Sequence, residues 1–217
     1  MNRIPEPEVM DGKDQSEAYA RADFTSVNLA FIERMAETLH LEGVTTAMDL
    51  GCGPAEIPTL LLRRYPALSI TAVDGSAAML TWAKRRIEAE NIEGLTLKHA
   101  LLPLPSPPAP YDLIFSNSLL HHLHEPAILW NEILRQGASG TQVYIMDLSR
   151  PEDEMQAREI VEEYAADEAD ILKYDFFHSL LAAFRPKEIE RQLQDANLSQ
   201  LRVQQVTDRH LVVSGVL

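Results

Sequence analysis

Cysteine is nearly absent from this chain. Its 217 residues include one, Cys52, which excludes an internal disulfide and any metal site built from cysteines alone. Long apolar runs are missing too, and none approaches the roughly 20 residues that span a bilayer. The opening Met1-Asn2-Arg3-Ile4-Pro5-Glu6-Pro7-Glu8 lacks the apolar segment of a secretory signal. These absences predict a cytoplasmic protein with no membrane partner. Basic residues are scarce: 19 Lys and Arg stand against 33 Asp and Glu, for a net charge of −14. Nucleic-acid binding rests on phosphate neutralisation, so DNA and RNA are repelled on average and no nucleic-acid partner is expected. The basic clusters Arg63-Arg64 and Lys84-Arg85-Arg86 fall on helical segments, where such charges form a solvated face. A small neutral or cationic substrate suits the balance better. Apolar content is ordinary, and the length allows one substantial core.

What is present is an alternation of apolar runs with helical segments. Residues 1–13 are rich in proline and acids and read as irregular. A helical pattern runs from Ser16 to about Leu41, and Gly43 is a stop. Strands follow at Thr46–Leu50, Ser69–Asp74, Leu95–His99, Asp112–Phe115 and Thr141–Asp147. Helices lie between most of them. Pro54 and Pro58 mark one helix start, Ser76 caps a helix to about Asn91, and Pro126 opens another. Pro103, Pro105, Pro107, Pro108 and Pro110 make the third connection an extended loop. Pro151 to about Ala183 and Pro186–Ala196 are helical. Leu201–Val206 and His210–Val216 are strands joined by a turn too short for a crossover, so they pair as an antiparallel hairpin. Strand–helix alternation over five strands predicts an α/β doubly wound parallel sheet. Residues 1–40 are read as a tail and helical cap on the domain 41–217.

The chemistry gathers at the strand ends. Ala47-Met48-Asp49-Leu50-Gly51-Cys52-Gly53-Pro54-Ala55 is an apolar run ending in an acid and a glycine-rich turn. Ile70-Thr71-Ala72-Val73-Asp74 is a second run ending in an acid, 25 residues later. This is the layout of a nucleoside-cofactor site at the carboxyl edge of a parallel sheet. Gly51 and Gly53 let the backbone turn sharply and approach a ligand. The helix that follows points free N–H groups and its positive dipole end at the ligand.

Asp49-Leu-Gly51-Cys-Gly53, Asp74, Tyr111-Asp112-Leu113-Ile114-Phe115, Leu120-His121-His122-Leu123, Asp147-Leu148-Ser149-Arg150-Pro151 and the terminal hairpin together resemble the class I S-adenosylmethionine-dependent methyltransferases. The resemblance runs from about residue 40 to the end. It implies a Rossmann-like seven-stranded sheet whose last strand is antiparallel. It also implies S-adenosylmethionine as cofactor, S-adenosylhomocysteine as product, and methyl transfer to a small molecule. On that resemblance Asp49 holds the glycine loop and the cofactor's amino group. Asp74, with Gly75 beside it, accepts the ribose hydroxyls, and Met79 lies against the adenine. Ala100 and Leu101, after the third strand, border the adenine. Asn117 is the candidate contact near the sulfonium. Two positions depart from the family: Ala55 replaces a third glycine, and His99 stands where many members carry an acid for the adenine amino group.

Methyl transfer is an in-line displacement that needs the acceptor held behind the methyl, and a base only if the acceptor carries a proton. His121, His122 and His210 are the candidates for that role or for a substrate hydrogen bond. A histidine satisfied by nearby backbone is the plain alternative for the first two. Arg150 can meet a substrate carboxylate or pair with Asp147 or Asp153. Tyr19, Phe24, Tyr174, Phe176 and Phe177 supply aromatic walls, with Tyr19 as a substrate contact. No metal is expected, because adjacent histidines on a helix diverge by about 100°. Two other readings stand beside methyl transfer. One is a cofactor-binding protein without chemistry; the other is a nicotinamide-dependent oxidoreductase, disfavoured by the missing third glycine and the lack of a second domain.

Overall fold

A computed structural model of the chain describes every residue except 8, 10, 11 and 106–108, and the side chain of residue 13. Glu8 of the acidic tail and Pro107 and Pro108 of the expected extended loop therefore lie outside the described residues. Two helices open the chain, α1 (Lys13–Arg21) and α2 (Thr25–Thr38). The single helix expected from Ser16 to Leu41 is broken at 22–24, where the Asp23 carboxylate accepts from the Thr25 N–H at 3.0 Å. The alternating part then runs β1 (Thr46–Leu50), α3 (Glu56–Arg64), β2 (Ser69–Asp74), α4 (Ala77–Glu90), β3 (Leu95–His99) and β4 (Leu113–Asn117). A 3-10 turn, Leu120–His122, precedes α5 (Ala127–Gln136) and β5 (Gln142–Leu148). The expected helix from Pro151 to Ala183 is two, α6 (Glu154–Ala165) and α7 (Asp170–Ala182), followed by α8 (Pro186–Asp195), β6 (Arg202–Gln205) and β7 (His210–Val216).

The seven strands form one sheet in the order β3-β2-β1-β4-β5-β7-β6. The first five pair in parallel, and β7 lies antiparallel between β5 and β6. Alternating side chains divide two cores across it. Met48, Leu50, Ile114, Val143, Ile145, Leu211 and Val213 pack on one face with Trp130 and Ile133 of α5 and Ile189 and Leu193 of α8. Ala47, Leu113, Phe115, Tyr144, Met146 and Val212 pack on the other with Phe31, Ile32 and Met35 of α2 and Leu61 of α3. Burying a side chain such as Trp130 or Phe31 contributes about 1.5–3 kcal/mol, and both are sealed from solvent. The two cores together make the central strands almost continuously apolar, as a sheet covered on both faces requires.

The N-terminal tail is held rather than loose. Arg3 donates from Nε to the Ala182 carbonyl at 2.6 Å and from its terminal nitrogen to the carbonyls of His121 and Leu123 at 2.7 and 2.9 Å. Its guanidinium also stacks 4.0 Å from the Phe184 ring centroid. The tail thus runs as a strap across α7 and the 3-10 turn. No described helix is long and apolar enough to cross a membrane.

Candidate active site

One cavity of about 560 Å³ opens at the carboxyl edge of β1, β2 and β4, where the sheet order reverses between β1 and β4. Ligands of α/β sheets bind at such a switch point. Its floor is the glycine turn. Gly51 adopts φ +77° and Gly53 φ +52°. The N–H groups of Gly51 and Cys52 both donate to the Val73 carbonyl, at 2.8 and 3.0 Å, which ties the turn to the end of β2. A side chain at Gly53 would meet nothing within 4 Å, so open space lies above it. Ala55 takes the left-handed conformation at φ +58° as the residue before α3. Glycine adopts this region without strain, and alanine tolerates it at a cost of about 1–2 kcal/mol.

Asp74 closes the floor. One carboxylate oxygen accepts from the Gly53 N–H and the other from the Ser76 N–H, each at 2.7 Å. The carboxylate is therefore fixed at the cavity edge, where an ionised carboxylate acts only as a hydrogen-bond acceptor. Gly75 lies beneath Leu101, whose methyl would sit 2.6 Å from an added Cβ. Gly51, Gly53, Asp74, Gly75, Met79, Ala100, Leu101 and Asn117 all line the cavity. Asp49 is not among the lining residues; it is buried behind the turn. Burial, and then the charge of Asp74, hold its pKa well above the ordinary carboxylate range. His99 does not line the cavity either: its Nε2 lies 3.0 Å from the Gly75 carbonyl oxygen.

The opposite end of the cavity is built by distant segments. Tyr19 of α1, Phe24 before α2, and Asn28 and Phe31 of α2 form one wall. Tyr19 and Phe24 pack with ring centroids 4.9 Å apart, and burial lifts the Tyr19 hydroxyl to about 12. Leu172, Asp175, Phe176 and Ser179 present one face of α7 to the cavity, as spacing of three and four residues on a helix requires. Tyr174 is on the outer face, 64% exposed, and Phe177 packs with Leu148 and Ile160. Tyr164 of α6 donates to Asp208 at 2.9 Å while Arg209 stacks on its ring at 3.2 Å, so α6 reaches the β6–β7 turn.

His121, His122 and His210 all lie on the cavity wall. His121 donates from Nδ1 to Asp147 at 2.6 Å. Asp147 also accepts from the Leu120 and Leu148 N–H groups, each at 2.7 Å. Burial opposes the His121 imidazolium, but the Asp147 charge and hydrogen bond, with Glu6, outweigh it and raise the pKa. The same pairing holds the Asp147 carboxyl low despite its burial. Burial, with His121 beside it, brings His122 down to about 3. Burial and then Arg209 bring His210 to about 4, and its Nδ1 lies 3.0 Å from the Thr207 hydroxyl.

Two expectations change. Arg150 does not reach the cavity. It is buried, donates to the Ala183 carbonyl at 3.0 Å and pairs with Glu188 at 2.6 Å, neither of the acids expected for it. The divergence expected for adjacent histidines does not occur in the tight 3-10 turn: the His121 and His122 rings stack at 4.3 Å and both face Glu6. His124 points elsewhere, its Nε2 2.8 Å from the Glu6 carbonyl oxygen. Glu6 is one of the site residues that sequence reasoning missed, with Asn28, Asp175 and Ser179 of the cavity wall. For Glu6 the only local signal was an acid between two prolines in an otherwise irregular tail.

Comparison with known proteins places these features. Residues 47–140 match the family model described as a methyltransferase domain. A trans-aconitate 2-methyltransferase of Azoarcus sp. (strain BH72) is 38% identical over 95 residues, 44% of this chain and 36% of that protein. One from Delftia acidovorans is 30% identical over 149 residues, 62% of this chain and 54% of that protein. The chain thus spans about a third to a half of the curated relatives it matches. The plantazolicin methyltransferase BpumL, solved with a pentazolic desmethylPZN analogue and SAH, superposes with TM-score 0.71 at 14% identity, covering 94% of this chain and 91% of that one. Residues 47–140 thus match a methyltransferase domain, and the whole chain shares its fold with the S-adenosylhomocysteine-bound BpumL structure.

Proposed function

We propose that the protein transfers a methyl group from S-adenosylmethionine to a protic group, a hydroxyl foremost, on a neutral or cationic small molecule. The observation that carries this reading is a single cavity lined at one end by the Gly51–Gly53 turn and Asp74 and at the other by His121, which is paired to Asp147. The cofactor fits its end. The Asp74 carboxylate is fixed at the cavity edge by two backbone N–H groups, and the space over Gly53 is what a ligand would fill. Asp74 would hold the ribose hydroxyls, Met79 and Leu101 the base, and Asn117 with the turn in front of Asp49 the amino-acid part. When bound, the cofactor supplies an electrophilic sulfonium methyl and leaves as S-adenosylhomocysteine.

The remaining steps belong to this chain. Tyr19, Phe24 and Phe176 exclude water and hold the acceptor's apolar body. His121 Nε2 takes the acceptor's proton as the oxygen forms its bond to carbon. Asp147 fixes the ring and stabilises the imidazolium that results. His210 offers a second hydrogen bond to the acceptor.

The charge of the wall supports the acceptor class. Asp23, Glu168 and Asp175 line the cavity, and Arg209 is the one Lys or Arg among its described lining residues. That guanidinium already pairs with Asp208 at 3.1 Å. A polycarboxylate such as the trans-aconitate named in the relatives has little here to balance its charge. The test is calorimetry with S-adenosylhomocysteine and NAD, followed by a methyl-transfer screen with isotopically labelled S-adenosylmethionine. Binding of the former and turnover of neutral or cationic acceptors are expected. Preferential turnover of trans-aconitate would overturn the acceptor class, and binding of NAD alone would overturn the reaction.

A further inference from the structure

We infer that Glu6, His121 and His122 form a binding site for one divalent transition-metal ion at the acceptor end of the cavity. The inference rests on the methyl-transfer reading only for what the ion does there. Glu6 Oε1 lies 3.4 Å from His121 Nε2 and 3.3 Å from His122 Nδ1. All three ligand atoms fall within 4.8 Å of one another. Direct charge-assisted hydrogen bonds are shorter, about 2.7–2.9 Å. Two ligands sharing a tetrahedral ion through bonds of about 2.05 Å are instead about 3.3 Å apart. The two measured separations match that edge. One carboxylate oxygen facing two different imidazoles is the arrangement an ion between them produces.

The support around the site has the same character. His121 Nδ1 is held by Asp147 at 2.6 Å, and Asp147 is itself fixed by two backbone N–H groups. A carboxylate behind a histidine is how protein metal sites fix the ring and leave the other nitrogen to ligate. The strap that carries Glu6 is anchored by Arg3 to the carbonyl of His121 itself. Ser179 donates to Glu6 Oε1 at 3.0 Å, orienting its carboxylate. The Pro7 carbonyl oxygen lies 3.3 Å from His122 Nδ1, at the rim of the site. Both imidazoles also face the cavity, so three protein ligands leave a coordination position open to the acceptor, as in catalytic zinc sites. Two imidazoles and one carboxylate favour Zn²⁺, Co²⁺ or Fe²⁺ over Mg²⁺ and Ca²⁺, which take oxygen ligands. An ion here would take the acceptor's oxygen as its fourth ligand. The hydroxyl proton would then pass to water before transfer, in place of the proton transfer to Nε2.

The experiment uses the full chain, stripped with a chelator and dialysed against Zn²⁺ alone. Metal content is read by mass spectrometry, affinity by competition with a chromophoric chelator, and geometry by the visible spectrum after loading Co²⁺. About one ion per chain is expected, with the intense absorption of tetrahedral Co²⁺. Glu6→Gln and His122→Ala should each weaken binding by about 10-fold or more, and Asp147→Asn by about 10- to 100-fold. S-adenosylhomocysteine binding, measured in each variant, reports folding. No stoichiometric ion in the wild type, or equal affinity in folded Glu6→Gln and His122→Ala, overturns the site. Neither result touches the methyl-transfer reading, which fails only if S-adenosylhomocysteine itself does not bind.

Discussion

Replacing Asp74 by asparagine isolates the chemistry of the cofactor end with almost no change in shape. In the native chain both carboxylate oxygens accept a backbone N–H at 2.7 Å, one from Gly53 and one from Ser76. Asparagine has one acceptor oxygen. Its NH₂ group must then face either Gly53 N–H or Ser76 N–H, donor against donor, and one charge-assisted bond is lost. The ribose hydroxyl expected at that oxygen loses its partner as well. A hydrogen bond to a charged group contributes about 1.5–3 kcal/mol, so cofactor affinity should fall about 10- to 150-fold. Titration calorimetry with S-adenosylhomocysteine measures this, and thermal unfolding without ligand measures the separate loss in the turn. Adenosine, which carries the ribose and lacks the amino acid, should lose the same factor. Native affinity for both ligands in a folded variant would refute the role of Asp74. Loss for S-adenosylhomocysteine but not for adenosine would place the carboxylate elsewhere on the ligand.

Other outcomes follow from the same geometry. Asp147→Asn removes the charge that holds His121, and kcat for any acceptor found should fall about 100-fold or more while S-adenosylhomocysteine affinity holds; an unchanged kcat would remove the pair from the reaction. Gly51→Ala forces a side chain to φ +77° with its Cβ 3.0 Å from Leu119, which should cost about 1–2 kcal/mol by chemical denaturation and weaken cofactor binding. Burial, and then the charge of Asp74, raise the Asp49 pKa well above the ordinary carboxylate range. A cationic ammonium arriving beside it favours the ionised form, so binding should release a proton, seen as a calorimetric enthalpy that varies with the buffer's ionisation heat. Arg3→Ala removes the hydrogen bonds to Ala182, His121 and Leu123 and should lower stability by about 2–3 kcal/mol and impair turnover more than cofactor binding.

The glycine-turn end of the cavity was legible because its parts are adjacent in the chain. Thr46–Leu50 and Ser69–Asp74 are apolar runs stopped by a glycine turn and by Gly75-Ser76, and they form strands with those bounds. Ser76 accepts from the Met79 N–H as the cap of α4. The helical breaks were harder. The break at 22–24 was signalled by Asp23, an acid able to cap Thr25, but the apolar spacing continues through it. The break at 166–169 falls in an acidic stretch with no proline or glycine to announce it. Arg150 followed a strand like a site residue, but its partner, Glu188, sits 38 positions on and could not be read from its surroundings.

The acceptor end was illegible for a different reason. Glu6, His121, Asp147, Asp175 and His210 come from five segments, and what aligns the first with the second is a guanidinium gripping main-chain oxygens. Arg3 meets the carbonyls of Ala182, His121 and Leu123. A carbonyl is the same at every residue, so nothing at the receiving positions records that the strap docks there. The glycine turn must keep its residues, because only glycine takes φ +77° freely beside Leu119 and only an acid can receive two N–H groups at Asp74. The acceptor wall has no such constraint. Tyr19, Phe24 and Phe176 can change as long as the helices that carry them still pack. The glycine-turn end of the cavity is therefore written into one short stretch of sequence, and the opposite wall is spread over the whole fold.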